Sequence, residues 1–373
     1  MNEMTKAIKS QQEESNEYSV CYGANINDCL ASVQNYQGLL VSGCISTTEQ
    51  FRVVTENWLE HKRHFVKKST YVKYHTIVYK HILPHFGNLM LSEVDRSKLN
   101  NMIYEKYFGV NCEKLSEKTL SDILSVLRLI IRFAEEQNYN CVELRISLPP
   151  EITRKNEKKI RVMRSVEFDI LKDHVYANKH SPKHLGILTV MFTGLRIGEI
   201  CALKWQDIDA VNKTIIVSRT LQRISDLSSR EGYSKTKLVF DTPKTPSSKR
   251  EIPLPYFLFT ILNEEKERHP SDTYVLSGTY RPEEPRSYLN FFKKQLAACE
   301  IPPYTFHTLR HTFATNCVEA GFDIKSLSEI LGHSSVQITL NRYVHPSLEA
   351  KRRQMELLSH SFSQSTQLCD HQL

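Results

Sequence analysis

The sequence predicts a mainly α-helical protein of two domains, with a small β-sheet or hairpin in the second domain. Four amphipathic helical patterns occupy residues 47–146. A polar, basic stretch with two adjacent prolines, residues 147–159, follows them and is typical of a linker. Short runs of strand-forming residues then interrupt a second helical region, residues 160–360. A length of 373 residues is sufficient for two domains that each have a core.

The two ends of the chain differ from its body in composition. Residues 1–46 are polar and lack periodicity, so we predict a poorly ordered segment or a small appendage there. Residues 361–373 predict a flexible polar tail. The first 50 residues carry 2 basic and 6 acidic side chains, whereas the whole chain has a net charge of +7. The basic body favours a polyanionic partner, although a solvated basic surface would give the same charge.

The first domain contains four patterns in which apolar residues recur at helical spacing. The first begins near Thr47, within a sequence that resembles a capping box. The second follows Ser69 and should end before Pro84, and the third follows Asp95. The fourth covers about residues 117–137. The apolar residues expected to face inward are Phe51, Val54, Trp58, Tyr71, Tyr74, Val78, Ile82, Leu99, Met102, Ile103, Leu120, Ile123, Leu124, Leu127 and Ile131.

Basic residues cluster where the first two of these helices meet. We interpret five of them as candidates for contacts with phosphate groups: Lys62, Arg63, Lys67, Lys68 and Lys73. The alternative for each residue taken singly is a solvated helix end.

The second domain is predicted to begin with helices near 165–177 and 182–193. Strands are expected at Lys213–Arg219, Lys237–Asp241 and Arg250–Leu254. The last two strands flank a turn sequence, so we expect them to pair as a β-hairpin or ribbon. The remainder of the domain has helical character.

Five residues in the second domain suit the cleavage of a phosphodiester. Arg196 lies in TGLRIGE, His307 and Arg310 lie in HTLRH, His333 lies in LGH, and Tyr343 follows that histidine by ten residues. Two guanidinium groups can bind the non-bridging oxygens while phosphorus becomes five-coordinate. A tyrosine hydroxyl can attack the phosphorus and form a reversible covalent phosphoester.

The order and wording of these motifs resemble those of the tyrosine recombinase (phage integrase) family over residues 49–358. The resemblance implies a helical core-binding domain and an α+β catalytic domain. It also implies a site-specific recombinase from a prophage or an integrative conjugative element, with Tyr343 forming a 3′-phosphotyrosyl bond. His307 and Arg310 are three apart and share one helix face, so His307 can place a base or hydrogen-bond donor at the phosphate. By the resemblance, His333 donates a hydrogen bond to a non-bridging oxygen. Glu199 is expected to orient the fold or Arg196 rather than to react.

In the family that the chain resembles, a lysine on the β-hairpin protonates the leaving 5′-oxygen. Lys244 best fits that position, while Lys235, Lys237 and Lys249 lie within range. Lys249 and Arg250 are further candidates for contacts with phosphates.

Three alternatives compete with this interpretation of single residues. His307 and His311 are four apart and suit a zinc site, but Thr308 stands where a glutamate is needed, and no third ligand is evident. His311 is therefore interpreted as a packed core histidine. Tyr304 is the rival to Tyr343 as nucleophile. Arg196 alone would also suit a buried ion pair with Glu199 or Asp207.

The resemblance implies double-stranded DNA as the substrate and a homotetramer on two DNA sites as the working assembly. An excisionase and a host DNA-bending protein are further candidate partners. No cofactor is expected, neither ATP nor a divalent metal, because the phosphotyrosyl bond conserves the energy of the broken phosphodiester. The alternative functions are a type IB topoisomerase, a chromosome-dimer resolvase and a DNA-binding protein without activity.

Composition predicts a cytoplasmic protein associated with the nucleoid. The sequence offers no signal peptide and no apolar run long enough to cross a membrane. Its nine cysteines are scattered and form no C-x-x-C pair, which is typical of reduced thiols.

Overall fold

The computed structural model describes residues 49–110, 113–139, 161–227, 235–241 and 249–344, together with residues 352, 355 and 356. The chain divides into two compact units, Met1–Arg154 and Lys155–Leu373. The predictions for the acidic N-terminal segment, the linker and the C-terminal tail lie outside the described residues. The proposed domain boundaries therefore stay predictions.

The described part of the first unit is helical. Its α-helices are α1 (Phe51–Phe65), α2 (Lys68–Ile77), α3 (Leu83–Phe86), α4 (Arg96–Phe108) and α5 (Glu117–Glu136). Phe51, Val54 and Trp58 lie on one face of α1 and are fully buried. They pack with the apolar face of α5 in a single core, to which Tyr71 and Tyr74 contribute as partly buried residues. The expected inward faces of the four patterns are confirmed.

The start of α1 differs from the prediction because the backbone before it is held in extended form. Gln50 is the residue that precedes the helix, and its side chain makes no capping hydrogen bond. Instead, Gln50 forms an isolated bridge with Met90, and the backbone N–H of Phe51 donates to the carbonyl of Leu89. The helix therefore begins at Phe51, and the predicted start near Thr47 is too early.

The predicted stop before Pro84 is also wrong. A π-helical turn, Val78–Ile82, follows α2, and Pro84 lies in the first turn of α3. Proline lacks an N–H donor, but the first turn of a helix has no use for that donor. The prediction for α4 is confirmed, because the Asp95 side chain accepts a hydrogen bond from the backbone of Lys98 at 2.8 Å.

The second unit combines helices with two small antiparallel sheets. Its helices are α6 (Ser165–Ala177), α7 (Pro182–Thr193), α8 (Ile197–Ala202), α9 (Tyr256–Lys266), α10 (Pro285–Ala298), α11 (Phe306–Glu319), α12 (Ile324–Leu331) and α13 (Val336–Tyr343). Its strands are β1 (Ile208–Asp209), β2 (Thr214–Val217), β3 (Thr220–Ser225), β4 (Thr236–Asp241) and β5 (Arg250–Pro253). The predicted helices 165–177 and 182–193 are confirmed as α6 and α7.

The strand pairing differs from the predicted hairpin of the last two strands. One sheet has the order β1-β2-β5, and the other pairs β3 with β4. Ile252 of β5 lies opposite Ile215 of β2, and both are buried. This placement buries β5 in the main core. The sequence did not predict β3, because its buried residues Leu221 and Ile224 are three apart, which hides the alternation of a strand.

The helices α12 and α13 pack on α11 in a small apolar cluster, while a larger apolar core lies under the other helices of the second unit. The larger core includes the apolar residues of α7, the residues Ile200 to Leu203 and the ring of Trp205. No helix in the described ranges is both long enough and apolar enough to cross a membrane.

Candidate active site

The ends of four helices in the second unit bring the five motif residues together. Arg196 immediately precedes α8, and His307 and Arg310 lie in the first turns of α11. His333 lies just beyond α12, and Tyr343 is the last residue of α13. The imidazole of His333 stacks on the ring of Tyr343, with centroids 6.4 Å apart and planes inclined by 7°.

The C-terminal end of α12 holds three arginine side chains. Three consecutive carbonyls each accept a hydrogen bond from a different guanidinium: Ile330 from Nε of Arg250 at 2.6 Å, Leu331 from Nη2 of Arg310 at 2.6 Å, and Gly332 from Nη2 of Arg196 at 3.0 Å. The last carbonyls of a helix have no intrahelical partners and form the negative end of its dipole. The helix end is therefore a suitable place to fix cations.

Two glycines with positive φ allow this arrangement. Gly194 ends α7 with φ of 65°, and its carbonyl accepts a hydrogen bond from Nη1 of Arg310 at 2.8 Å. Gly332 ends α12 with φ of 62°, and a Cβ atom there would lie 3.1 Å from atoms of Arg250. Left-handed backbone is most readily adopted by glycine, and the tight approach of Arg250 adds a second reason at Gly332.

Glu199 joins two of the three arginines. Its carboxylate accepts hydrogen bonds from Nη1 of Arg196 at 2.7 Å and from Nη1 and Nη2 of Arg250 at 3.1 and 2.9 Å. Burial opposes ionisation, but the hydrogen bonds and charge of Arg250, with the charge of Arg196, lower the pKa of Glu199 to about 2. Glu199 is therefore ionised at neutral pH and orients Arg196. The competing partner Asp207 is instead bonded to Arg219.

Arg310 is a buried cation without an acidic partner in the described part of the chain. Its side chain donates to the carbonyls of Gly194 and Leu331 and is 1% exposed. Burial and the repulsion of Arg196 lower the pKa of Arg310 to about 9, which still leaves it charged at neutral pH. A desolvated charge of this kind is costly unless a counter-charge arrives. The site is therefore prepared for an anion.

The histidines of the site are neutral at pH 7. Burial and the charges of Arg310 and Arg196 lower the pKa of His307 to about 4 and that of His333 to about 3. Nδ1 of His333 lies 2.8 Å from the buried hydroxyl of Thr339. If that hydroxyl donates, the ring proton is on Nε2, which can then donate to an incoming oxygen.

Tyr343 is buried, and its hydroxyl is hydrogen-bonded to His311. Oη of Tyr343 lies 2.7 Å from Nδ1 of His311. Burial raises the pKa of Tyr343, although Arg310 and Arg342 act in the opposite direction. From the sequence we interpreted His311 as a packed core histidine. In the structure its side chain is only partly buried and lies at the hydroxyl of Tyr343. Its spacing of four from His307 places it on the same helix face as a motif histidine, but that spacing does not indicate the contact with Tyr343.

Comparison with known proteins identifies the family. The family model described as "Phage integrase family" matches residues 162–349, which is half of the chain. The chain belongs to the phage integrase family. A second model, "Phage integrase, N-terminal SAM-like domain", matches residues 50–108 in the first unit. The resemblance predicted from the motifs is confirmed, and the protein is a tyrosine recombinase, an enzyme that cuts and rejoins DNA.

The regions that match this chain cover most of the length of two relatives and about half of the length of a third. A "Tyrosine recombinase XerC-like" protein of Caldanaerobacter subterraneus subsp. tengcongensis is 28% identical over 79% of this chain and 79% of its own. The "Integrase" of Staphylococcus phage L54a is 24% identical over 83% of this chain and 92% of its own. The "Transposase from transposon Tn916" of Enterococcus faecalis is 29% identical, but the match covers 48% of this chain and 46% of that protein.

Solved structures confirm the predicted fold class of this integrase-family chain. The Tn1549 transposon integrase in complex with transposon right end DNA has a TM-score of 0.65 at 22% identity, over 83% of this chain and 100% of that one. A lambda integrase dimer bound to a COC′ core site has a TM-score of 0.56 at 17% identity, over 91% of this chain and 86% of that one. Both are integrases with helical and catalytic domains.

The rival nucleophile of this recombinase has a structural role. Tyr304 is buried, and its hydroxyl donates to Glu167 at 2.7 Å. The guanidinium of Arg161 lies over its ring at 4.5 Å. As for the zinc alternative, the described ranges contain no group of three or more His, Cys, Asp or Glu residues arranged to bind a metal.

The residues predicted as general acid or as nearby phosphate contacts differ in exposure and in their bonding partners. Lys244 lies outside the described residues. Lys235 and Lys249 are exposed, while Lys237 forms an ion pair with Asp226 at 2.8 Å. Arg250 was a candidate for phosphate contact, but its side chain is 5% exposed and bonded to Glu199. This geometry favours a positioning role for Arg250.

The five basic candidates of the first unit lie where α1 ends and α2 begins. Arg63 is exposed and lies 3.4 Å from Glu60, and Lys73 of α2 forms an ion pair with Asp122 of α5 at 2.8 Å. Lys62 is in the last turn of α1, Lys67 precedes α2 and Lys68 is its first residue. Their contact with phosphates stays a prediction.

Proposed function

We propose that this recombinase integrates and excises a mobile element through a 3′-phosphotyrosyl bond formed by Tyr343. The observation that carries the proposal is the positively charged site around the tyrosine. Arg196, Arg250 and Arg310 converge on one helix end, and Glu199 is the acidic side chain to which two of them bond. A dianionic five-coordinate phosphorus is the species that such an excess of positive charge stabilises best.

In the proposed mechanism, Arg196 and Arg310 bind the two non-bridging oxygens of the scissile phosphate. Arg310 is held by two backbone carbonyls, and Arg196 is held by one carbonyl and the carboxylate of Glu199, so their remaining N–H groups are fixed in direction. Such donors need no reorganisation when charge develops on the oxygens. His307 and His333, both neutral, add hydrogen bonds to the same phosphate.

The chemistry proceeds by in-line displacement. Tyr343 attacks phosphorus, and the 5′-oxygen leaves with a proton that Lys244 supplies. The free 5′-hydroxyl of a partner strand then attacks the phosphotyrosine and restores the phosphodiester. Neither ATP nor a divalent metal takes part, because the bond to Tyr343 conserves the energy of the cut.

The proposed substrate is double-stranded DNA, bound as two duplexes by four protomers. Relatives support this assembly: a lambda integrase tetramer bound to a Holliday junction has a TM-score of 0.57 with this chain at 16% identity. The integrase of the Tn1549 transposon has been solved with circular intermediate DNA. An excisionase, a host DNA-bending protein and a location on the nucleoid stay predictions.

A nicked substrate from the element's own ends tests the function. After the cut, the short strand diffuses away and the covalent adduct accumulates, so it is visible on a denaturing gel. We expect the adduct with the wild type, and none with Tyr343→Phe at nearly unchanged DNA affinity, because only the nucleophile is lost. EDTA should have no effect on the adduct.

Tyr304→Phe is the matched control and should form the adduct. An adduct with Tyr343→Phe would show that another tyrosine attacks. Relaxation of plasmids that lack the element's sites would instead support a topoisomerase.

A further inference from the structure

The hydrogen bond between His311 and Tyr343 points to a catalytic residue outside the five motif residues. Nδ1 of His311 lies 2.7 Å from Oη of Tyr343, the atom that attacks phosphorus in the proposed function, on which this inference rests. We propose that His311 accepts the proton of the Tyr343 hydroxyl as that oxygen attacks the DNA phosphate.

The protonation states in the free protein suit this direction of transfer. Burial and the nearby groups His307, Arg342 and Arg310 lower the pKa of His311 to about 4, so its ring is neutral at pH 7. Burial raises the pKa of Tyr343, so its hydroxyl keeps its proton. With Nδ1 unprotonated, the O–H group donates along the line of the proposed transfer.

Neither of the other two histidines has comparable geometry. His307 meets His311 edge to face, with centroids 4.6 Å apart, and makes no hydrogen bond with the tyrosine within the described ranges. His333 has Nδ1 bonded to Thr339 and lies parallel to the ring of Tyr343 rather than at its hydroxyl. Arg342 lies close enough to favour the phenolate, but a guanidinium cannot accept a proton.

Binding of DNA makes His311 a stronger base. A pKa of about 4 leaves it a weak base in the free protein. Burial is the main cause of that low pKa, and the charges of Arg342 and Arg310 add to it. The phosphodiester brings negative charge beside Arg310 and so offsets the part that is due to these cations. The imidazolium that forms is then balanced by the second negative charge of the five-coordinate phosphorus.

The transfer is balanced at each atom. The O–H bond of Tyr343 breaks, its electron pair forms the bond from Oη to phosphorus, and the proton goes to Nδ1 of His311. The bond from phosphorus to the 5′-oxygen breaks, and that oxygen takes its electron pair and a proton from the general acid, for which Lys244 is proposed. On rejoining, His311 returns its proton to Oη.

The test measures single-turnover adduct formation on a nicked site with a bridging 5′-phosphorothiolate, whose thiolate leaves without a general acid. His311→Gln should slow the adduct by ~10²-fold, the usual scale for losing a general base. DNA affinity should change less than twofold. His184→Gln, which replaces another partly buried histidine bonded to Gln295, is the matched control and should react like the wild type.

A second measurement separates proton transfer from mere positioning of the tyrosine. Fluorotyrosine at position 343 is more acidic and depends less on a base, so the defect of His311→Gln should shrink by ~10-fold. An equal defect with tyrosine and fluorotyrosine would overturn the proposal, as would a wild-type rate for His311→Gln. If the wild type itself forms no adduct, the recombinase function fails and this proposal fails with it.

Discussion

Two regions of this protein concentrate basic side chains, and they are built in opposite ways. At the junction of α1 and α2, Arg63 and Lys73 are exposed and face acidic residues at the surface. Around α12, Arg310 and Arg250 are buried and fixed by backbone carbonyls. Exposed ion pairs contribute little free energy and rearrange readily, whereas buried guanidiniums keep one geometry.

The difference indicates what each region can contribute to the reaction. Flexible surface cations can follow the backbone of any duplex and add affinity that depends on salt. Fixed donors cannot adapt, but they stabilise charge that develops at one place. The first unit therefore suits binding, and the second suits chemistry.

The largest effect is expected from Arg310. Arg310→Lys should slow cleavage at saturating DNA by ~10²-fold or more, because lysine keeps the charge but loses the planar fork that meets two carbonyls and an oxyanion. Rates of adduct formation at saturating DNA check this, with affinity measured separately. A wild-type rate of cleavage by Arg310→Lys would show that the fixed geometry of the guanidinium is not needed, and the distinction between adaptable and fixed cations would not hold.

An intermediate effect is expected from Arg250. It bonds to Glu199, which in turn bonds to Arg196, a proposed ligand of the phosphate. Arg250→Met leaves the carbonyl of Ile330 unpaired and frees Glu199 to shift, so cleavage at saturating DNA should slow by ~10-fold with little change in affinity. Arg250 is expected to position other side chains rather than to bind DNA, so the rate of cleavage is the informative measurement and the DNA affinity is not.

Arg219→Met is a fitting control, since Arg219 is also partly buried and bonds to a carbonyl and to Asp207. Equal losses of rate in both variants would show that Arg250 only stabilises the fold.

The smallest effect is expected at the junction of α1 and α2. Lys68→Gln should weaken DNA binding a few-fold and reduce the slope of log affinity against log salt by ~0.9, the value for one phosphate contact. Titrations at several salt concentrations measure this, and cleavage at saturating DNA should not change. Lys98→Gln, on α4, serves as the control. An equal change of slope in that variant would show that the junction of α1 and α2 contributes no more to DNA binding than another basic surface position.

Much of the fold was predictable because its helices bury one face at regular spacing. Phe51, Val54 and Trp58 mark α1 in the sequence as clearly as in the structure. The motif residues were chosen from their resemblance to a family pattern, and the structure brings Arg196, Arg310 and Tyr343 to one site. Their roles in the reaction stay predictions.

The remainder depends on contacts that the sequence does not display. The bridge between Gln50 and Met90 sets the start of α1, and the pairing of Ile215 with Ile252 assigns β5 to the main core. Nothing in the spacing of His311 shows that α13 would bring the Tyr343 hydroxyl to it. Such contacts join segments that lie far apart in the chain, where local patterns carry no information.

The end of α12 ties three arginine side chains to one short stretch of backbone. Three successive carbonyls, from Ile330 to Gly332, each hold one arginine, so a shift of that helix end by an ångström or two weakens all three bonds at once. The positions of the three guanidinium groups are therefore coupled to one another through this helix end. In the proposed assembly, a neighbouring copy that displaced this one helix end would release all three guanidinium groups together.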